Sequence, residues 1–249
     1  MTTDPYYRDW ADLYDAHSRG VPGDVDFYVG LARQVDGLVV ELGVGTGRIA
    51  VPSAVAGARV LGIDLAPTML ASARRRAEEA GVADRLELVE GDMRMFTAPE
   101  PAALVTIPFR AFLHNLTVDD QLATLEACRR ALRPGGRLAL NVFQPDPLLI
   151  ARARSRSPRR WEPWGGPDSV IRARHTHDLA EQVVTTQLRR RGQHGRWVDS
   201  SVTLRWVHRF EMEHLFARAG LTVEALYGDF TGAPLVDGSR EMVWIARRP

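Results

Sequence analysis

Lysine is missing from this chain of 249 residues: all 32 of its basic residues are arginine. Against 31 carboxylates they leave a net charge of +1, which gives no support for a polyanionic partner. Cysteine is nearly absent as well. The one thiol, Cys128, excludes an intramolecular disulfide and a thiolate metal cluster, and its helical setting suits a small core residue. No apolar run is long enough to span a bilayer, and the first residues lack the apolar core of a secretory leader. These absences set the expectation of a cytoplasmic protein with no membrane, nucleic-acid or metal partner. What is present is ordinary for a globular fold: 45% hydrophobic and 25% charged residues, in a chain long enough for one α/β domain with a sizeable core.

The chain is organised around one stretch. An apolar run, Leu38 to Leu42, stops at Gly43, Gly45 and Gly47. Apolar residues without polar alternation suit a strand buried on both faces of a parallel sheet. Glycines at these positions let the backbone turn sharply and approach a ligand closely. Backbone N–H groups near a helix start can then meet a polar or anionic group. A tight strand-to-helix turn without a ligand is the plain alternative.

The spacing separates this loop from the dinucleotide pattern Gly-x-Gly-x-x-Gly. Glu41-Leu42-Gly43-Val44-Gly45-Thr46-Gly47 resembles the first motif of the class I S-adenosylmethionine-dependent methyltransferases. The resemblance implies a glycine loop packed against the methionine part of the cofactor, with Glu41 helping to place its amino end. The Tyr7–Asp15 stretch is similar to the opening segment of small-molecule members, which closes over the cofactor. On that likeness Tyr14 borders the cofactor and Tyr6 the methyl-transfer cavity. Packing over the sheet edge explains the same aromatic residues.

Downstream, Arg59–Asp64 reads as a second strand ending in an acid, and Asp64 lies 17 positions beyond Gly47. An acid near this place commonly accepts ribose hydroxyls; as an alternative it caps the helix expected from Pro67 to Ala80. Leu65 and Met69 border the adenosine or pack in the core. A third strand, Leu86–Glu90, is followed by Gly91-Asp92-Met93, which resembles the family's second motif. The likeness implies that Asp92 meets the adenine amino group and Met93 packs on the ring. The fourth strand, Ala103–Ile107, runs into Pro108-Phe109-Arg110-Ala111-Phe112-Leu113-His114. Beyond a strand's carboxyl end, this segment should face the methyl donor. It departs from the Asn/Asp-Pro-Pro-Tyr/Phe signature of methyltransferases acting on bases and protein amides. Pro108 is expected at the cofactor and Phe109 and Phe112 around an apolar acceptor pocket. Arg110 is a candidate for holding an acidic group. His114 is either a general base or the cap of the next helix.

Thr117 starts that helix, with Asp120 as its capping partner. Leu132-Arg133-Pro134-Gly135-Gly136 resembles the third motif and reads as a tight turn into a strand at Arg137–Phe143. Residues 144–210 break the βα alternation. Runs at Ser169–Thr176, Gln182–Arg190 and Trp197–Phe210, with a turn at Gly192–Gly195, suggest antiparallel hairpins. His175, His177 and His208 are candidate cavity residues, His208 also a candidate base, and their spacing is no metal signature. A helix at Glu211–Ala219 and strands at Leu221–Leu226 and Glu241–Ala246 close the pattern.

The expected fold is a Rossmann-like, seven-stranded, mostly parallel sheet with helices on both faces, an antiparallel last strand and an antiparallel β insertion. One methyltransferase domain spans 1–249. It comprises a helical lid at 1–37, a cofactor core at 38–143, a substrate cap or dimer interface at 144–210, and closing elements at 211–249. The resemblance implies methyl transfer from S-adenosylmethionine, without metal, to N, O or C of a small organic acceptor in natural-product metabolism. Three rivals are an RNA-directed methyltransferase, a nicotinamide-dependent oxidoreductase and a noncatalytic cofactor-binding protein.

Overall fold

Strand β1, Leu38–Leu42, is buried at every residue. It pairs in parallel with β2 (Arg59–Asp64) along one edge and with β4 (Ala102–Ile107) along the other. A strand enclosed on both edges and both faces requires near-continuous apolar sequence, and Leu38-Val39-Val40 supplies it. Beyond β2 lies β3 (Leu86–Glu90). Beyond β4 come β5 (Leu132–Phe143), β11 (Glu241–Arg247) and β10 (Thr222–Tyr227), so the seven-stranded sheet runs β10-β11-β5-β4-β1-β2-β3. Only β11 runs antiparallel to its neighbours, β5 and β10. Strands β1, β2 and β3 are added towards one edge and β4 starts towards the other, and such a switch in strand order opens a crevice at the strands' carboxyl ends. The computed structural model describes residues 7, 14, 20–148, 150–151, 161–164, 169–191 and 196–249.

Helices cover both faces. On one, α4 (Val118–Ala131) and α5 (Arg209–Arg218) bury Leu125, Cys128, Met212 and Phe216 against Leu140 and Trp244. Cys128 is thus the buried core residue expected. Phe216 and Trp244 are fully buried with ring centroids 5.5 Å apart, and truncating either to alanine costs about 3–5 kcal/mol. On the other face, α1 (Asp24–Arg33), α2 (Ala50–Val55) and α3 (Pro67–Glu79) bury Tyr28, Ala54 and Leu70 against Val39, Leu104 and Val243.

Local signals set most boundaries. Pro67 opens α3, where its missing N–H costs nothing. Thr117 caps α4 by accepting the Asp120 N–H at 3.1 Å. The reciprocal half of that box is absent, because the Asp120 carboxylate pairs with Arg94 instead. The turn expected at Pro134–Gly136 is a bulge inside β5: Ala102 faces Leu132, and Leu104 already faces Arg137. Gly135 and Gly136 pair through their backbone with Arg248, at 2.9 Å each, which draws the segment into the sheet.

The insertion forms a second, antiparallel sheet: β6 (Glu162–Pro163), β7 (Ile171–Asp178), β8 (Val183–Arg191) and β9 (Trp197–Arg205), in that order. The third hairpin run ends at Arg205 rather than Phe210, because His208 begins α5. Arg205 fastens the small sheet to helices α4 and α5. It donates to Gln121 on α4 at 2.9 Å, to Gln182 at 3.1 Å and to Glu211 on α5 at 2.9 Å. Tyr6, Trp10, the arginine-rich 152–160 run and the 192–195 turn lie outside the described residues. Among those described, no helix is long and apolar enough to cross a membrane.

Candidate active site

Four strand ends meet in one cavity of ≈490 Å³. Gly43 and Gly45 follow β1, Asp64 closes β2, Gly91 follows β3 and Pro108 follows β4. Leu65, Met93, Phe109 and His114 extend its surface, and Tyr7, Tyr14, Ser201 and Thr203 complete it. The last two belong to β9, so the small sheet forms one wall.

The three glycines adopt left-handed backbone, with φ of 70° at Gly43, 54° at Gly45 and 77° at Gly47. They serve different neighbours. A Cβ on Gly43 would lie 2.8 Å from Ala111 Cβ, and one on Gly47 would press on Val51 and Ala73 at 3.1 and 3.2 Å. A Cβ on Gly45 would meet nothing nearer than 4.0 Å, so the backbone there borders open space. Asp64 ties the loop to β2: one carboxylate oxygen accepts the Gly45 N–H at 2.8 Å, the other the Ala66 N–H at 2.9 Å. The N-cap of α3 is Ala66, so Asp64 does not cap that helix; it holds the Ala66 N–H just before it and lines the cavity. Burial holds its pKa above the ordinary carboxylate range.

Beneath the loop Glu41 is 3% exposed. Burial pushes its carboxyl up to about 8, opposed by the Arg48 guanidinium and by the Ala50 N–H it accepts. Arg48 itself grips Asp24 through two hydrogen bonds, at 2.8 and 2.7 Å, and lies 5.2 Å over the Phe109 ring. The sequence reading passed over Arg48 and Asp24. Arg48 directly follows the last glycine, which was the only signal available.

At the other end of the cavity, the Tyr7 hydroxyl lies 2.9 Å from His114 Nε2, with the two rings edge to face. Tyr14 stacks at a tilt on Tyr7, 5.8 Å between centroids. Burial pushes the His114 imidazole down to about 4, so it is neutral at physiological pH. Between these ends, Phe109 and Arg110 carry positive φ, 50° and 67°. Two consecutive non-glycine residues in that region cost of order 1–3 kcal/mol each. Asn141 on β5 accepts the Phe109 N–H at 2.8 Å, and Glu241 on β11 pairs with Arg110.

Several residues named from the sequence lie off this cavity's wall. Arg110 turns to Glu241, so its guanidinium is engaged by the protein itself. Phe112 is fully buried in the core beneath. Met69 is buried on α3. Asp92 is held by Arg94 at 2.6 Å, and this pairing outweighs burial to keep its pKa below the usual carboxylate range. Its neighbours Gly91 and Met93 reach the cavity instead. His175 bonds Thr186 across the hairpin at 2.9 Å, and His177 lies near Trp206. His208 is the N-cap of α5 in a capping box with Glu211 and lines a different depression with Phe210 and Val236. Hairpin register, a long-range outcome, decided the placements of His175 and His177, and local helix capping decided that of His208. Among the described residues no group of His, Cys, Asp and Glu could hold a metal ion.

Comparison with known proteins agrees with the arrangement. Residues 39–136 match the family model described as a methyltransferase domain. The cypemycin N-terminal methyltransferase of a Streptomyces species is 29% identical over 230 residues, covering 89% of this chain and 87% of that protein. A ubiquinone biosynthesis O-methyltransferase of Xanthomonas euvesicatoria is 33% identical over 117 residues, only 46% of either chain. Among solved structures, the CcbJ methyltransferase of Streptomyces caelestis superposes with a TM-score of 0.84 at 24% identity, covering 97% of both chains. An amino pentose methyltransferase of Micromonospora echinaspora gives 0.60 at 24% identity, covering 98% of this chain and 92% of the other. Glycine spacing, strand order and these likenesses converge: residues 39–136 match a methyltransferase domain, and the chain has the class I (Rossmann-like) methyltransferase fold.

Proposed function

We propose that the cavity binds S-adenosylmethionine and that the enzyme methylates a nitrogen, or less readily an oxygen or carbon, of a small organic acceptor. The observation that carries this reading is the convergence of Gly43, Gly45 and Asp64 on one cavity at the carboxyl ends of β1 and β2. The fit is physical as well as positional. Gly45 presents backbone to open space, and the Asp64 carboxylate, fixed by backbone N–H groups, borders the same cavity. Glu41 and Tyr14 would attend the cofactor's amino-acid end, Gly43, Gly45 and Gly47 its chain, and Asp64 its ribose. Leu65, Met93 and Pro108 would border the rest. Met69 and Asp92 would act at a remove, the first through packing and the second through its hold on the loop carrying Met93.

The cofactor supplies a sulfonium methyl group already activated for in-line displacement. The residues' own task is therefore alignment and exclusion of water. Tyr7, Phe109 and His114 would shape the acceptor side, together with Ser201 and Thr203. A neutral His114 with its pKa pushed down to about 4 is a weak base. It serves better as a hydrogen-bond partner that orients Tyr7. An amine, which brings its own lone pair, is then favoured over a hydroxyl that must lose a proton. The name of the cypemycin N-terminal methyltransferase supports a nitrogen acceptor of natural-product type.

The reading treats 1–249 as one functional unit, with a lid at 1–37, a cofactor core at 38–143, a cap at 144–210 and closing elements at 211–249. Self-association through the cap belongs to it, supported by the exposed Trp197 and Val170, as do a cytoplasmic setting and the absence of a nucleic-acid partner. Calorimetric titration with S-adenosylmethionine, S-adenosylhomocysteine and NADH tests the core claim. Saturable binding of the first two is expected. Folded, cofactor-free protein that binds neither would sink it.

A further inference from the structure

The turn Pro108–Ala111 borders the cavity in a conformation its own residues resist. Ala111 N–H closes on the Pro108 carbonyl at 3.1 Å, and both central residues, Phe109 and Arg110, are left-handed. Turns of this kind are ordinarily built with Asn, Asp or Gly. A buried polar cluster gathered from three distant elements holds it. Asn141 Oδ1 accepts the Phe109 N–H at 2.8 Å and the Tyr28 hydroxyl at 3.0 Å, while its Nδ2 donates to Glu241 at 2.8 Å. The other Glu241 oxygen takes the Arg110 guanidinium, with Nε at 3.1 Å. Joining β5 to β11 does not need this cluster, because those strands already pair from Glu241 to Arg247.

We propose that Asn141 and Glu241 are positioning residues for methyl transfer. They hold Phe109 and Arg110 left-handed and so fix Phe109 on the acceptor side of the cavity. The inference rests on the methyltransferase reading above. Pro108, Phe109 and Ala111 line the cavity, and Asn141, Glu241 and Tyr28 do not, so the cluster acts through the turn. Gly45 and Asp64 are secured separately, by their own hydrogen bond. Loss of the cluster therefore lowers turnover while donor binding is largely kept.

The test compares wild type, Glu241→Gln and the double variant Glu241→Gln/Arg110→Gly. Three quantities are read: hydrogen exchange of the 105–116 backbone, affinity for S-adenosylhomocysteine, and tritiated methyl transfer from S-adenosylmethionine to a panel of small primary and secondary amines. In Glu241→Gln, exchange at 109–111 should quicken about tenfold and kcat fall about tenfold, with S-adenosylhomocysteine affinity within about threefold of wild type. The double variant should recover both, because glycine takes positive φ unaided. Unchanged exchange in Glu241→Gln, an affinity loss as large as the kcat loss, or a double variant no better than the single overturns the proposal. Asn141→Ser, which keeps an acceptor hydroxyl, carries the same comparison if Glu241→Gln does not fold. Wild-type protein that fails to bind S-adenosylhomocysteine counts against the methyltransferase reading instead, and the exchange measurements still decide the role of the cluster.

Discussion

The carboxylate of Asp64 accepts the backbone N–H of Gly45 across 19 residues of sequence, at 2.8 Å. One side chain thus sets the shape of the glycine loop and borders the space that the loop encloses. Asp64→Ala should weaken S-adenosylhomocysteine binding at least about tenfold, or about 1.4 kcal/mol. Gly45→Ala should fold, because a Cβ there meets open space, at a cost of about 1–2 kcal/mol for the left-handed backbone. It should nevertheless bind cofactor poorly. Gly43→Ala adds a collision with Ala111 at 2.8 Å and should lose stability as well. Calorimetry beside thermal melts separates the three; equal effects at Gly43 and Gly45 would contradict the geometry.

Glu41 makes the unliganded protein sensitive to alkali. Its pKa rises from 4.5 to about 8 on folding, chiefly through burial. Between those values the unfolded chain holds fewer protons than the native one, so stability falls as pH rises. Asp64, also raised by burial, adds the same sign. Glu41→Gln should flatten the decline in Tm between about pH 5 and about pH 8. If the cofactor's ammonium group settles near Glu41, binding ionises the carboxyl. Affinity should then climb with pH up to about 8, and calorimetry in buffers of different ionisation enthalpy should register proton release. An invariant affinity and no proton release would place the ammonium elsewhere.

His114 should leave no mark on the pH–rate profile near neutrality, because burial keeps its imidazole neutral down to about 4. The rate should instead follow deprotonation of the acceptor amine. His114→Asn should retain that profile with a loss of about threefold to tenfold in kcat, and Tyr7→Phe should resemble it. An acid limb near pH 6.5 that vanishes in His114→Asn would restore the histidine as a base. Stability carries the opposite sign to that of Glu41. The unfolded chain binds the proton that native His114 refuses, so stability drops as pH falls from 6.5 towards 4.

Arg205 predicts a structural rather than chemical phenotype. It is 8% exposed and bonds Gln121, Gln182 and Glu211 together. Arg205→Met should destabilise by about 2–4 kcal/mol, below the full cost of breaking a buried ion pair because Glu211 is partly solvated. Denaturant melts check this figure, and a change under about 0.5 kcal/mol would make the clamp incidental.

What the sequence disclosed was local. Strand β1 was legible because burial on both faces forces an apolar run, and α4 because Thr117 must cap it. The sheet's antiparallel closing strand was legible through the Glu241–Ala246 run. Contacts between remote segments left no trace: Tyr7 meets His114 at a separation of 107 residues, and Asn141 meets Glu241 at 100. Phe109 and Arg110 were unreadable for a different reason. Positive φ normally announces itself through glycine, and here distant hydrogen bonds substitute for it. His208 illustrates the converse, since a histidine followed three residues later by Glu211 is a legible capping pattern that was weighed as chemistry.

Strand β9 carries both Arg205 and the two residues, Ser201 and Thr203, that the small sheet lends to the cavity. The fastening and the wall are therefore separable along a single strand. A hairpin exchanged between relatives, with Arg205 and its three partners retained, would bring a different wall to an unaltered floor. Such a protein can be retooled for a new acceptor by grafting, without relearning how to hold its methyl donor.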